Sequence, residues 1–164
     1  MLISTGIPTK EDILSVAPSE ERMAKGPCSI AECFQNIPCN PCTKACPRGA
    51  ISMDGGINDK PKIDYEKCNG CGLCILQCPG LAIFTVDKSY SEKEAIVTVP
   101  YEYYPVPVKG DTVFGLNRAG EIVGRFEVTK VMHGNARNKT YAITVKVPKD
   151  LAMEVRNVKV GGDK

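Results

Sequence analysis

The sequence predicts an α+β protein, and three observations support that prediction. All nine cysteines lie between Cys28 and Cys78, in a segment rich in glycine and proline. Of the 15 valines, 13 lie at or after Val97, where apolar and polar residues alternate with the period of a β-strand. Two short helical patterns precede the cysteines. We therefore predict a helical leader at 1–30, a cysteine-rich domain at 31–99 and a small β domain at 100–164.

The leader contains two predicted helices, each with its own start signal. Thr9 precedes the first helix, and Asp12 follows three residues later, which is the spacing of a capping box. Pro18 ends this helix. Ser19 starts the second helix, and the Gly-Pro pair at 26–27 ends it.

Composition and charge narrow the class of protein. Hydrophobic residues make up 43% and charged residues 24% of the chain, which is typical of a folded globular protein. The formal charge is only +2, so nucleic-acid binding is not predicted. No apolar run is long enough for a transmembrane helix, and no secretory signal is visible, so we expect a cytoplasmic protein. There is no catalytic constellation and no glycine-rich phosphate motif, which argues against a catalytic site and against nicotinamide or flavin binding within this chain.

The second group of cysteines, at 68–79, has the spacing C-x2-C-x2-C-x3-C-P. This is the spacing with which bacterial proteins ligate 4Fe-4S clusters. Three thiolates two residues apart require a tightly curled loop, and Gly70 and Gly72 permit such a loop. A zinc site would need two cysteine pairs separated by a dozen or more residues, and the four cysteines at 68–78 do not fit that pattern. A disulfide framework would need an oxidising compartment, and no secretory signal is visible.

The first group, at 33–47, is a variant with the spacing C-x5-C-x2-C-x3-C-P. Its last three cysteines keep the standard intervals, and Pro38 and Pro41 stiffen the longer first loop. The segment 46–51 also repeats the segment 78–83, since each begins with Cys-Pro and ends with Ala-Ile, with two residues between these pairs. The two groups therefore form an internal repeat.

Residues 33–86 resemble a two-cluster bacterial-type ferredoxin domain. In that family the fourth cysteine of each motif ligates the other cluster. The resemblance implies a first 4Fe-4S cluster held by Cys33, Cys39, Cys42 and Cys78. It implies a second 4Fe-4S cluster held by Cys46, Cys68, Cys71 and Cys74.

The ninth cysteine, Cys28, is spare in this assignment. Cys28 could replace Cys33 as a ligand, but ten residues rather than five would then precede Cys39. Cys33 is favoured because a shorter loop costs less closure entropy. Cys28 is then expected to be a small buried apolar residue.

Short strands are predicted beside the cysteine motifs and throughout the tail. Segments 50–53 and 61–65 form one predicted pair, and segments 81–86 and 95–99 form another. Isoleucines of these segments and of the second motif are expected to pack over the clusters: Ile51, Ile63, Ile75 and Ile83. The alternating tail, including 141–147, predicts a small antiparallel β-barrel or a curled sheet.

The segments 18–27 and 32–42 resemble the small iron–sulfur subunits of flavin-dependent amine or amino-acid dehydrogenase complexes. Such complexes include proline dehydrogenase and sarcosine-oxidase-like assemblies of anaerobic prokaryotes. The resemblance implies an electron-transfer subunit of a hetero-oligomer, which relays electrons from a flavin-containing dehydrogenase subunit to an acceptor. Two alternatives to the electron-transfer subunit stay open. One is a free low-potential ferredoxin that diffuses between redox enzymes. The other is a binding protein in which the clusters only stabilise the fold.

Overall fold

The computed structural model describes residues 2–161. Residue 1 of the predicted leader and residues 162–164 of the predicted β domain lie outside this range. The helices are α1 Leu2–Thr5, α2 Lys10–Val16, α3 Glu20–Lys25, α4 Pro41–Ala45 and α5 Leu73–Gln77, with a 3-10 turn at Lys149–Leu151. The strands are β1 Cys28–Ala31, β2 Ile51–Ser52, β3 Lys62–Ile63, β4 Ile83–Asp87, β5 Glu94–Tyr101, β6 Thr112–Leu116, β7 Ile122–His133, β8 Tyr141–Pro148 and β9 Asn157–Lys159. None of the described helices has the length and apolar character needed to cross a membrane.

Both predicted helices of the leader are confirmed together with their caps. The Thr9 hydroxyl accepts a hydrogen bond from the Asp12 amide, and the Asp12 carboxylate accepts one from the Thr9 amide. The Ser19 hydroxyl accepts a hydrogen bond from the Arg22 amide at the start of α3. These local bonds satisfy amide groups that a short helix leaves without an internal partner.

Seven strands form one antiparallel sheet in the order β1-β4-β5-β8-β7-β6-β9, and β2 pairs with β3 in a separate hairpin. The predicted barrel is wrong, because β1 and β9 are the two open edges within the described residues. The sheet is instead curled, since β9 approaches β5 across the core although three strands separate them in the sheet. Alternation in the sequence predicts which residues face the core, but it does not specify which strands form the edges.

The two faces of the sheet have different side chains and different coverings. One face carries the main apolar core, which includes Val86, Val97, Val99, Val128, Ile143 and Val145. The other face carries small and hydroxyl-bearing residues, including Ser29, Ala31, Thr85, Thr98, Ala142 and Thr144, all of them buried. Helix α5 packs on this second face against β4, β5 and β8. Short side chains leave room for the cysteine-rich segment to lie close to the sheet.

The strands predicted beside the cysteine motifs are present. Ile51 pairs with Ile63 in the small hairpin, and β4 pairs with β5 in the large sheet. Strand β5 then pairs along its whole length with β8 of the tail. The large sheet therefore combines strands from all three predicted ranges, and the division at residues 30 and 99 stays a prediction.

A buried ion cluster joins the cysteine-rich segment to the tail. The Glu32 carboxylate accepts hydrogen bonds from Arg118 at 2.6 and 2.8 Å and from Arg156 Nε at 2.8 Å. The three side chains are 6%, 9% and 3% exposed, respectively. Burial by itself would raise the pKa of Glu32, but the hydrogen bonds and positive charges of the two arginines lower it below its ordinary value. Glu32 therefore stays ionised at neutral pH and compensates two buried guanidinium groups.

Removing this carboxylate should destabilise the protein strongly. Glu32→Ala leaves two buried guanidinium groups without their anion, and we expect a loss of about 3–5 kcal/mol in the free energy of unfolding. The denaturation midpoint followed by circular dichroism measures this loss. Asp54→Ala is the control, because the Asp54–Lys62 ion pair is exposed and should contribute less than about 1 kcal/mol. Equal losses for the two variants would contradict the structural role of Glu32.

Candidate metal centres

Cysteines from both motifs line a first small cavity. Cys33, Cys39 and Cys42 come from the first motif, and Cys78 comes from the second. Cys42 is buried within α4, and Cys78 is the residue that ends α5. The structure therefore brings together the four thiols that the resemblance assigned to the first cluster.

A second small cavity is lined by the other four cysteines. Cys68, Cys71 and Cys74 come from the second motif, and Cys46 comes from the first. Cys46 is the residue that ends α4, and Cys74 is buried within α5. The four thiols assigned to the second cluster therefore also lie around one cavity.

Each motif contributes its last cysteine to the cavity of the other motif, and this exchange follows from how α4 and α5 end. Proline follows the last cysteine of each helix, at Pro47 and Pro79, and a residue before proline is disfavoured in helical backbone. Cys46 and Cys78 accordingly have extended backbone, with φ/ψ of −82°/107° and −78°/108°. Helices α4 and α5 lie against each other. Each terminal cysteine can therefore leave its own helix and face the cavity of the other motif.

Backbone amides donate hydrogen bonds to several of these sulfurs. The Ala50 amide lies 3.3 Å from Cys46 Sγ, and the Ala82 amide lies 3.4 Å from Cys78 Sγ, at equivalent positions of the repeat. The Ser29 amide lies 3.3 Å from Cys68 Sγ. Such donors stabilise negative charge on a metal-bound thiolate and affect the redox properties of the centre.

Three thiols of the two sites have a pKa above the ordinary value for cysteine. Burial raises the pKa of Cys42 and of Cys74 to about 11 in each case. Burial, together with the neighbouring Cys78 and Cys39, raises the pKa of Cys33. Iron binding replaces the thiol proton, so ligand formation releases protons and couples to folding.

Apolar side chains surround the cysteines as the sequence predicts. Ile51, Ile75 and Ile83 are buried in one cluster with Cys42 and Cys74, and Ile63 packs against it. Ile75 has no solvent exposure. A shell of this kind limits water near a metal centre and thereby influences its reduction potential.

Each cavity is lined by four cysteine thiols. Exclusive cysteine ligation by four thiolates is typical of 4Fe-4S clusters.

Cys28 lies outside both cavities. It is fully buried in β1, on the sheet face that carries the main apolar core, and burial raises its pKa to about 11. Its neighbour Ser29 points to the opposite face, where its hydroxyl lies 3.4 Å from Cys74 Sγ. Ser29 is a site residue that the sequence analysis missed, because 39 and 45 residues separate it from its two sulfur partners.

Residues 37–82 match the family model of the 4Fe-4S dicluster domain. The chain contains a ferredoxin-type 4Fe-4S domain. The match begins after Cys33, so this ligand assignment relies on the resemblance and on the position of Cys33 in the first cavity. No solved structure matches the chain.

Relatives of the chain include components of several oxidoreductases. Isethionate sulfite-lyase activating enzyme of Desulfovibrio desulfuricans is 29% identical over 83% of this chain and 44% of its own length. A selenate reductase subunit from Mesobacillus selenatarsenatis is 42% identical over 52% of this chain and 30% of its own length. The pyruvate synthase subunit PorD of Methanocaldococcus jannaschii is 44% identical over 30% of this chain and 56% of its own length.

In each of these three cases the chain spans less than two thirds of the relative. The chain is an iron–sulfur electron-transfer protein related to the iron–sulfur subunits of oxidoreductases. The resemblance to proline dehydrogenase and sarcosine-oxidase-like assemblies stays a prediction.

Replacing single cysteines should test the two ligand sets. We expect Cys74→Ala to abolish the second cluster, because it removes one of the four thiols assigned to that cluster. Cys28→Ala is the matched control, because it removes an equally buried thiol outside both cavities and should retain all iron. Iron content per chain and the visible absorption spectrum measure both outcomes. Loss of iron in Cys28→Ala, with full iron in Cys33→Ala, would show that Cys28 is the ligand.

Proposed function

We propose that the protein holds two 4Fe-4S clusters and relays electrons as a subunit of an oxidoreductase complex. The observation that carries this proposal is the presence of two four-thiol cavities, each formed from both cysteine motifs. The first cluster is assigned to Cys33, Cys39, Cys42 and Cys78. The second cluster is assigned to Cys46, Cys68, Cys71 and Cys74.

The arrangement of α4 and α5 suits transfer between two centres. The two helices are in contact, and each one supplies ligands to both cavities. When bound, each cluster supplies one-electron redox chemistry. Because the two helices are in contact, both sites lie in one folded unit, and electron transfer between them requires no rearrangement of domains.

Each of the two sites has a buried cysteine and also reaches the surface. Cys42 and Cys74 are the buried ones, and Cys71 of the second site is exposed. Ile37 lines the first cavity and is 43% exposed, and the backbone of the exposed Ile57 accepts a hydrogen bond from the Cys39 amide. We propose that an electron enters or leaves through each of these two surfaces.

The proposed partner is a flavin-containing dehydrogenase subunit in a hetero-oligomer. The selenate reductase and pyruvate synthase relatives are themselves named as subunits, which supports an assembly. The flavin partner rests on the resemblance of segments 18–27 and 32–42 to subunits of flavin-dependent dehydrogenases. A cytoplasmic location remains part of the proposal, because the ligand thiols must stay reduced until iron binds.

Metal analysis should distinguish the two-cluster proposal from its alternatives. We expect about eight irons and eight acid-labile sulfides per chain, as two clusters of four require. Protein purified without oxygen and analysed by elemental and sulfide assays provides the measurement. About four irons would contradict the second cluster, and zinc in place of iron would contradict the electron-transfer function.

Native purification should test the proposed complex. An anaerobic extract from the source cells should yield this chain in a particle well above its own 17.7 kDa, together with a flavin-containing chain. Size exclusion measures the mass, and fluorescence of flavin released by acid identifies the cofactor. Elution of the iron-loaded protein at its monomer mass, without flavin, would favour a freely diffusing ferredoxin instead.

A further inference from the structure

The end of the leader forms a wall of the second site. Gly70, in the loop of the second motif, has a φ of +66° and lies directly against the backbone at Pro27. A Cβ at Gly70 would lie 2.6 Å from Pro27 Cβ and 2.9 Å from the Cys28 amide nitrogen. The segment from Arg22 to Ser29 therefore packs on the loop that carries Cys68 and Cys71.

Ser29 contacts two sulfurs of this site. Its amide donates to Cys68 Sγ at 3.3 Å, and its hydroxyl lies 3.4 Å from Cys74 Sγ. The side chain is 2% exposed, so water does not compete for these bonds. A metal-bound thiolate has no proton to give, so the hydroxyl is the donor once Cys74 is a ligand.

Arg22 holds a positive charge beside the same loop. Its guanidinium donates to the Cys68 carbonyl at 2.6 Å and to the Tyr65 carbonyl at 2.7 Å. It also donates to the carbonyls of Gly26 and Pro27 at 3.0 and 3.3 Å. All four acceptors are neutral, so these bonds fix the guanidinium in place without cancelling its charge.

The first site has a different set of neighbours. Asp59 lines its cavity and is held there by the amides of Gly55 and Lys60. Lys60 is near Cys33, but its side chain is exposed, so solvent screens its charge. The Ala82 amide donates to Cys78 Sγ at this site, so backbone donors are present at both sites. The sites differ because the Asp59 carboxylate lines the first cavity, whereas the Ser29 hydroxyl lies against Cys74 Sγ and the Arg22 guanidinium lies beside the loop of the second site. These charges and this hydroxyl favour added negative charge at the second site.

We infer that Ser29 and Arg22 are positioning residues that raise the reduction potential of the second cluster above that of the first. The inference rests on the proposed two-cluster assignment. Reduction adds one electron to a cluster and lowers its net charge by one unit, with no bond formed or broken in the protein. Hydrogen-bond donors and nearby cations stabilise that added charge and so raise the potential. The first electron that enters the protein therefore rests on the second cluster.

Anaerobic redox potentiometry of the full-length, iron-loaded protein tests this inference, with dithionite as the reductant and electron paramagnetic resonance as the readout. The wild-type protein should show two one-electron steps. Ser29→Ala and Arg22→Gln should each move the more positive step to a more negative potential and leave the other step unchanged. Ser29→Thr retains a hydroxyl and should keep the wild-type value.

Two matched controls isolate the effect. Thr85→Val removes a buried hydroxyl from the residue that pairs with Ser29 across β1 and β4, and Thr85 is not among the residues that line either cavity. Lys25→Gln removes one positive charge from the same helix as Arg22, at an exposed position. Both variants should have wild-type potentials.

Each outcome decides either this inference or the proposed function. Unchanged potentials in Ser29→Ala and Arg22→Gln, or a shift of the more negative step, would overturn the inference while leaving two clusters in place. A wild-type protein with a single step and about four irons would instead overturn the proposed function. Arg22→Gln leaves β1 unaltered, so it provides the decisive measurement if Ser29→Ala fails to retain its iron.

Discussion

The contact between α4 and α5 is the constraint on which the rest of the site depends. Each helix has only five residues, too few to be stable alone, and each is held by its neighbours. Because the two helices lie side by side, the cysteine that ends each one reaches the cavity of the other motif. Neither four-thiol cavity can form if the helices separate, so both candidate centres depend on this one contact.

The sheet provides the platform that keeps these helices together. Its second face presents alanine, serine and threonine under α5, and their small size allows the helix to approach the strands closely. The opposite face supplies most of the apolar burial through the valines of β5 and β8. The protein thus separates two tasks, because one face stabilises the fold and the other supports the redox site.

Contacts distant in sequence connect this platform to both sites. Glu32 precedes Cys33 and bonds two arginines of the tail, so the start of the first motif is anchored to the end of the chain. Arg22 and Ser29 approach the second motif from the leader. The leader and the tail, which a minimal ferredoxin domain does not require, therefore both contact the cysteine motifs.

The sequence by itself determined the features that depend on neighbouring residues. Cysteine spacing indicated the metal, the prolines after Cys46 and Cys78 ended both helices, and Thr9 and Ser19 capped the leader helices. Alternation at 141–147 predicted the strand β8, although the structure buries residues on both of its faces. Only the tertiary structure decided the edges of the sheet, the ion cluster at Glu32 and the role of Ser29. Those features depend on partners between 39 and 124 residues apart, and no local pattern encodes which distant groups a fold brings together.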